Sequence, residues 1–198
     1  MIRVEESPRY KNSPLWKGSI VDKHAADLVL YATEIFNSKP DWIIETGTCF
    51  GGSAIFLADM MRILNGKGKV ISIDIKAMKQ PKHEYVIYID GSCLDPATVA
   101  KVKGMISGKV MATFDCDHRG RHVLQEMKTY GPLVTPGMCM VVEDMYRLRG
   151  KEVTRHWPYT IVKAFLAESK EFIDDPMWER YGVAQVRSTR EGWLRKNV

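Results

Sequence analysis

Asp41-Trp-Ile-Ile-Glu-Thr-Gly-Thr-Cys-Phe-Gly-Gly-Ser53 is the stretch of sequence from which the fold can be predicted. Its apolar run, Trp42-Ile43-Ile44, is typical of a strand that is buried on both faces. A turn with three glycines follows, and from Ser53 the apolar residues recur at helical spacing. A strand, a glycine turn and a helix predict an open α/β sheet that binds its ligand at the carboxyl ends of the strands.

The glycine turn also indicates which ligand binds. From Gly47 it follows the pattern G-x-x-x-G-G, whereas a dinucleotide site has G-x-G-x-x-G. Glu45 lies two residues before Gly47, and a buried acid there would repel a pyrophosphate but attract a positively charged ligand. S-adenosylmethionine carries both a sulfonium and an ammonium. The alternative is that Glu45 only caps a turn in a sheet that binds nothing.

The rest of the chain repeats the strand–helix alternation. Further strands are predicted at 69–74, 85–90, 109–114 and 138–142, with helices between them. This alternation predicts a doubly wound, mostly parallel sheet. Short apolar runs near the C-terminus are expected to supply the closing strands, at least one of them antiparallel, at 171–173, 183–187 and 191–194.

Composition limits the class of protein. A chain of 198 residues suits one domain, here 1–198, with residues 1–18 as a polar arm or lid in which Trp16 is either a packing anchor or part of a substrate lid. No apolar run reaches the roughly 20 residues that span a bilayer, and a signal-peptide core is missing, so a cytoplasmic location is expected. The net charge of +5 does not indicate nucleic-acid binding. The arm and the many methionines would permit self-association.

The cysteines give no metal signal in the sequence. The four of them are scattered without a C-x-x-C pair, so the spacing indicates neither a zinc knuckle nor a disulfide framework.

Two polar positions at strand ends are suited to a nucleoside. Asp74 ends the second strand, 27 residues after Gly47, where an acid can accept hydrogen bonds from both ribose hydroxyls. Ser92 follows the third strand, where an adenine edge would lie. The alternative for Asp74 is a turn-forming aspartate.

Acidic residues follow the fourth and fifth strands. Asp115 and Asp117 come from one strand, and Glu143 and Asp144 from the next. Neighbouring strands lie roughly 5 Å apart, so these carboxylates should converge at one edge of the sheet. Such crowding is unfavourable without a cation, and all-oxygen ligands favour Mg²⁺ or another hard divalent cation. The alternative is that the acids only cap the helices that follow.

A metal beside a methyl donor would lower the pKa of a substrate hydroxyl, so that its oxygen attacks the sulfonium methyl. Asp117 and His118 are the candidate catalytic residues, with His118 as general base and Arg119 beside an anionic oxygen. His118 could equally be a structural hydrogen-bonding residue.

These motifs together resemble the cephalosporin hydroxylase family. The matching stretches are Ile44-Glu-Thr-Gly-Thr48, Gly51-Gly-Ser53, Ser72-Ile-Asp74, Gly91-Ser92, Asp115-Cys-Asp-His118 and Val141-Val-Glu-Asp144. That family has the class I methyltransferase fold, binds S-adenosylmethionine and is similar to metal-dependent catechol-type O-methyltransferases. Nothing in the chain resembles an iron–oxygenase triad, so hydroxylation is not expected.

The resemblance implies two sets of site residues. The candidate cofactor contacts, including the loop residues of the glycine turn, are Glu45, Gly47, Thr48, Gly51, Ser53, Asp74, Ser92 and Asp115. The metal site is implied at Glu143 and Asp144, with Asp115 or Asp117 as a further ligand.

The leading hypothesis is an S-adenosylmethionine-dependent, Mg²⁺-assisted O-methyltransferase that acts on a hydroxylated small molecule, a sugar or a natural product. An accessory S-adenosylmethionine-binding subunit of a partner enzyme is the alternative. An NAD oxidoreductase is disfavoured by Glu45, and a base methyltransferase by the absence of an Asn/Asp-Pro-Pro-aromatic stretch after the fourth strand. A loop is expected at 145–160, and four of its basic residues could bind an acidic substrate or face water: Arg147, Arg149, Lys151 and Arg155.

Overall fold

The computed structural model describes residues 10, 13–149, 152–155, 157–181 and 189–198. Its strands, in chain order, are β1 (Leu15–Trp16), β2 (Ser19–Ile20), β3 (Trp42–Thr46), β4 (Lys69–Asp74), β5 (Val86–Asp90), β6 (Val110–Phe114), β7 (Cys139–Val142), β8 (Tyr146–Arg149), β9 (Glu152–Arg155), β10 (Phe172–Asp174) and β11 (Trp193–Lys196). Its helices are α1 (Ala25–Ser38), α2 (Gly52–Asn65), α3 (Pro96–Met105), α4 (Gly120–Tyr130), α5 (Trp157–Glu168) and α6 (Met177–Arg180). Within these ranges, no helix combines the length and apolarity that a membrane crossing requires.

Seven strands form one central sheet in the order β10-β11-β7-β6-β3-β4-β5. The ladders from β5 through β7 are parallel, whereas β11 runs antiparallel to both of its neighbours, β7 and β10. The predicted doubly wound sheet with an antiparallel closing strand is therefore confirmed. Chain order reverses between β3 and β6, which is where an open α/β sheet forms its ligand crevice.

The sheet is apolar on both faces because successive side chains of a strand point to opposite sides. Ile43 packs on one face with α1 and α2, where Tyr31 and Leu57 are fully buried. Ile44, the next residue, packs on the other face with α4 and α5, through Val123 among others. The continuous apolar run in the sequence is thus explained by helices on both sides.

The described part of the N-terminal arm forms a two-stranded hairpin, β1–β2, that lies on α2. The indole Nε1 of Trp16 donates a hydrogen bond to Asp59 Oδ2 at 2.7 Å, and its ring meets Phe56 edge-on at 5.1 Å. Trp16 is therefore a packing anchor for the arm. Residues 1–9, 11 and 12 of the predicted arm lie outside the described residues.

The C-terminal third contains a hairpin that the sequence analysis did not predict. Residues 145–160 were expected to be loop, but the antiparallel hairpin β8–β9 forms there and α5 begins at Trp157. The predicted strand at 183–187 lies outside the described residues, as do the side chains of the four basic residues assigned to this region.

Candidate active site

The glycine turn after β3 packs directly against the end of β6. Gly47 has φ of +91°, and a Cβ there would lie 2.2 Å from the carbonyl oxygen of Asp115. Gly51, with φ of +70°, precedes α2, and its Cβ would lie 2.4 Å from Pro81 Cδ. Only glycine satisfies both the backbone angle and the space at these positions. The turn therefore brings backbone to within van der Waals distance of the acidic residue that follows β6.

The parallel ladder continues one residue beyond the strands and aligns the acids. The amide of Asp115 donates to Thr46 O at 3.0 Å, and the amide of Glu143 donates to Phe114 O at 3.0 Å. Asp115 and Glu143 therefore leave the sheet side by side, as the sequence predicted. Asp144, the next residue, has a left-handed backbone with φ of +53°, a conformation that is unfavourable for a non-glycine residue and recurs at functional sites.

A buried lysine joins these two acids. Lys23 Nζ lies 2.6 Å from Asp115 Oδ2 and 2.6 Å from Glu143 Oε1, and 1% of its side chain is exposed. Tyr31 also donates to Glu143 Oε1, at 2.6 Å. Sequence reasoning missed Lys23, since it lies in the polar segment before α1, where nothing in the pattern distinguishes it from a surface lysine.

Three carboxylates are grouped around the single ammonium of Lys23. Burial opposes the ammonium, but the carboxylates of Asp115 and Glu143 outweigh it and raise the pKa of Lys23 well above its usual value. Burial also raises the pKa of Asp115 although Lys23 lies against it, and the negative charges of Glu143 and Asp144 add to the effect. The carboxyl groups of Asp115, Glu143 and Asp144 therefore outnumber the ammonium. This donor set fits a hard divalent cation.

His118 faces the same acids. Its Nε2 lies 3.3 Å from Asp144 Oδ2 and 3.8 Å from Asp115 Oδ1, and 22% of its side chain is exposed. The geometry thus places a partly exposed imidazole between the two carboxylates, where Asp144 can fix its orientation.

Asp117 lies apart from this acidic cluster. Arg119, two residues further on, holds its carboxylate through paired side-chain hydrogen bonds and lowers the pKa of Asp117 to about 2. Of the predicted pair Asp115 and Asp117, only Asp115 lies beside Glu143 and Asp144. Arg119, expected beside a substrate oxygen, is instead occupied by Asp117.

Glu45 is fully buried and is held by hydroxyl groups. Ser72 Oγ donates to Glu45 Oε2 at 2.6 Å and also contacts Thr48 Oγ1 at 2.7 Å. The other oxygen, Oε1, has no hydrogen-bond partner among the described residues. Burial raises the pKa of Glu45. A buried carboxylate oxygen of this kind needs a donor, which a cationic ligand or a water molecule could supply.

Asp74 and Ser92 lie at the predicted strand ends but make local contacts. Asp74 Oδ2 accepts a hydrogen bond from the amide of Cys49 at 3.0 Å, and Oδ1 accepts one from Lys76 N at 2.9 Å. Ser92 Oγ accepts one from Leu94 N at 3.3 Å. Asp74 therefore orders the glycine turn, which agrees with its turn-forming alternative, and the nucleoside contacts of both residues remain predictions.

A cavity of about 470 Å³ opens at this edge of the sheet. Six predicted site residues line it: Gly47, Thr48, Ser53, Asp115, His118 and Asp144. Sequence analysis did not assign the other lining residues Ser13, Pro14, Asp22, Lys23, His24, Cys49, Phe50 and Cys116. Glu45, Gly51, Asp74, Ser92, Asp117 and Glu143 are not among the lining residues.

The N-terminal arm closes one side of this cavity. Phe50 of the glycine turn meets the Tyr10 ring edge-on at 4.8 Å and packs against Ile20. Phe50 therefore attaches the arm to the glycine turn.

Comparison with known proteins finds relatives along most of the chain. The family model described as rhamnosyl O-methyltransferase/CmcI matches residues 8–197. Rhamnosyl O-methyltransferase of Mycobacterium leprae (strain TN) is 33% identical over 169 residues, which cover 79% of this chain and 72% of that protein.

Solved structures agree in fold. An apo structure of CmcI has a TM-score of 0.73 and 21% identity, and the match covers 93% of this chain and 76% of CmcI. A CmcI structure with Mg and S-adenosylmethionine has a TM-score of 0.71 and 20% identity, and the match covers 96% and 84% of the two chains.

Proposed function

The chain belongs to the rhamnosyl O-methyltransferase/CmcI family, and from this premise we propose that it methylates a hydroxyl group of a rhamnosyl or similar sugar with Mg²⁺ assistance. The resemblance noted in the sequence is confirmed, and the chain is an S-adenosylmethionine-dependent O-methyltransferase. The sugar acceptor and the role of the metal are the parts that we propose.

One observation carries the proposal. Asp115, Asp144 and His118 meet in a polar cavity beside Gly47, at the point where the strand order reverses. A methyl donor held against Gly47 and a hydroxyl held near His118 would therefore share one cavity. Bringing the two reacting groups together in this way is a large contribution that a protein can make to a transfer between two molecules.

The metal would be held by Asp115, Glu143 and Asp144. The excess of carboxyl groups over the ammonium of Lys23 supports this assignment, and the related CmcI has been solved with Mg and S-adenosylmethionine. A bound Mg²⁺ would lower the pKa of the acceptor hydroxyl. Lys23 then limits mutual repulsion of the acids when no cation is bound.

The proton transfer follows from the position of His118. Asp144 Oδ2, 3.3 Å from Nε2, would orient the imidazole, which in its neutral form can accept one proton. S-adenosylmethionine, bound beside Gly47, would supply the methyl group from its sulfonium and would be left as the neutral thioether. His118 would accept the proton that the acceptor hydroxyl loses.

The cavity favours a sugar over an aromatic acceptor. Phe50 is the one aromatic residue among the described lining residues, and the remainder offer mainly hydroxyl, carboxylate, imidazole and ammonium groups. Such a lining can hydrogen-bond several hydroxyls but provides little apolar surface to stack a catechol ring. The similarity to rhamnosyl O-methyltransferases supports the same acceptor class.

A labelled transfer assay tests the proposal. The purified chain is incubated with S-adenosylmethionine carrying a ¹³C methyl group and with either a methyl rhamnoside or a catechol, with and without Mg²⁺. We expect an O-methyl signal from the rhamnoside that rises with Mg²⁺ and falls at least about 100-fold in His118→Asn. His83→Asn is the matched control because His83 contacts Asp59, away from the cavity lining. Transfer only to catechol would contradict the sugar assignment.

A further inference from the structure

Four side chains from three parts of the fold converge next to the cavity, whose lining includes one of them, Cys116. Cys93 follows β5, Cys116 follows β6, and His122 and Glu126 lie on α4. One ligand atom of each lies within 4.8 Å of all the others. Because the two cysteines are 23 residues apart, the sequence spacing did not indicate a metal. This cluster is distinct from the acids Glu143 and Asp144 and has a different chemistry.

The separations match the edges of a zinc tetrahedron. Zn–S bonds of about 2.3 Å and Zn–N bonds of about 2.05 Å require S–S edges of about 3.8 Å and S–N edges of about 3.5 Å. The two Sγ atoms are 3.8 Å apart. His122 Nε2 lies 3.5 Å from Cys93 Sγ and 3.2 Å from Cys116 Sγ. The side chains would need only small shifts to bind one ion.

Glu126 completes the fourth corner. Its Oε1 lies 3.1 Å from Cys116 Sγ and 3.6 Å from Cys93 Sγ, and 1% of the residue is exposed. A buried carboxylate is costly unless it is hydrogen-bonded or paired with a positive charge. A divalent cation would supply the missing charge.

The ligands are also held from outside, as metal ligands usually are. Thr46 Oγ1 donates a hydrogen bond to Glu126 Oε1 at 2.6 Å. Asp117 Oδ2 lies 4.0 Å from His122 Nδ1, so its charge favours a proton on Nδ1 and leaves the Nε2 lone pair directed at the thiols. Asp117, which lies outside the acidic cluster, would therefore help to orient His122.

We infer that Cys93, Cys116, His122 and Glu126 form a structural Zn²⁺ site. Two thiolates and an imidazole select zinc over Mg²⁺, and four protein ligands leave no open position for catalysis. Binding would release the thiol protons. The ion would join the ends of β5 and β6 to α4, and so fix the backbone next to Ser92 and Asp115.

The test begins with the metal content of the full-length chain purified under reducing conditions. We expect about one zinc per chain by mass spectrometry of the metal. Cys93→Ser and His122→Asn should each lower the zinc affinity by more than about 100-fold, since loss of a ligand exceeds the 10–100-fold effect of an outer-shell partner. Cys49→Ser removes a thiol outside the cluster and should retain the zinc.

Cobalt substitution provides a readout that does not depend on the variants folding. After the wild-type chain is stripped with a chelator, one equivalent of Co²⁺ should give the absorption of a tetrahedral thiolate site, and Zn²⁺ but not Mg²⁺ should abolish it. The inference would be overturned if the purified protein contained no zinc and the stripped protein gave no cobalt thiolate absorption. A Cys93–Cys116 disulfide that persists under reducing conditions would overturn it as well, because both thiolates would then be lost.

Discussion

Replacing Lys23 with methionine tests the electrostatics of the site most severely. Methionine keeps most of the length and apolar volume of the side chain but removes the ammonium. Lys23 Nζ lies 2.6 Å from a carboxylate oxygen of both Asp115 and Glu143, and its side chain is 1% exposed. At an effective dielectric constant near 20, each contact is worth about 6 kcal/mol of attraction, and much of this is offset by the cost of burying the ammonium. Removing one partner of a buried pair costs about 3–5 kcal/mol.

We therefore expect Lys23→Met to lower the free energy of unfolding in urea by about 3–5 kcal/mol in the absence of divalent cations. Excess Mg²⁺ should recover part of this loss, since a bound cation compensates the same carboxylates. The matched control is Lys17→Met. Lys17 Nζ lies 2.7 Å from Asp59 Oδ2, but its side chain is 59% exposed, so the expected loss is below about 1 kcal/mol.

The reasoning would be refuted if Lys23→Met and Lys17→Met lost the same small free energy. It would also be refuted if Mg²⁺ stabilised the wild type but not Lys23→Met, since the acids would then not be the groups that both cations compensate.

Further predictions concern the glycine turn and the metal ligands. Gly47→Ala should destabilise the fold by about 2 kcal/mol or more in urea unfolding, because its Cβ would lie 2.2 Å from a carbonyl oxygen at φ of +91°. Gly66→Ala, with φ of +70° but open space, should cost only about 1 kcal/mol. Titration calorimetry should show Mg²⁺ affinity falling as pH is lowered, since the pKa of Asp115 is raised and a protonated carboxyl does not bind the ion. Asp115→Asn should abolish Mg²⁺ binding, whereas Asp117→Asn should change it by less than about threefold because Asp117 lies outside the acidic cluster; equal losses would contradict the assignment.

The sheet was predictable because its strands carry continuous apolar runs that end in acids or glycines. Parallel topology then required Asp115 and Glu143 to emerge at one edge, and the ladder places them there. The hairpin β8–β9 was missed because the sequences of its strands are rich in charge and contain no continuous apolar run.

Long-range contacts account for the rest of what the sequence did not reveal. Lys23 pairs with acids that are 92 and 120 residues away in the sequence, and no local sequence pattern indicates a contact across such a separation. The cysteine cluster depends in the same way on how the ends of β5, β6 and α4 meet in space. Asp117 was grouped with Asp115 from their spacing, but a local partner, Arg119, holds it apart.

The most direct test of the central claim follows a ¹³C methyl group from S-adenosylmethionine to a methyl rhamnoside by NMR, in the presence of Mg²⁺. The account predicts a new O-methyl resonance on the sugar, with S-adenosylhomocysteine formed in equal amount, and its loss in Asp115→Asn. Binding of S-adenosylmethionine without transfer to the rhamnoside would contradict the proposed acceptor, and absence of binding would contradict the cofactor site itself.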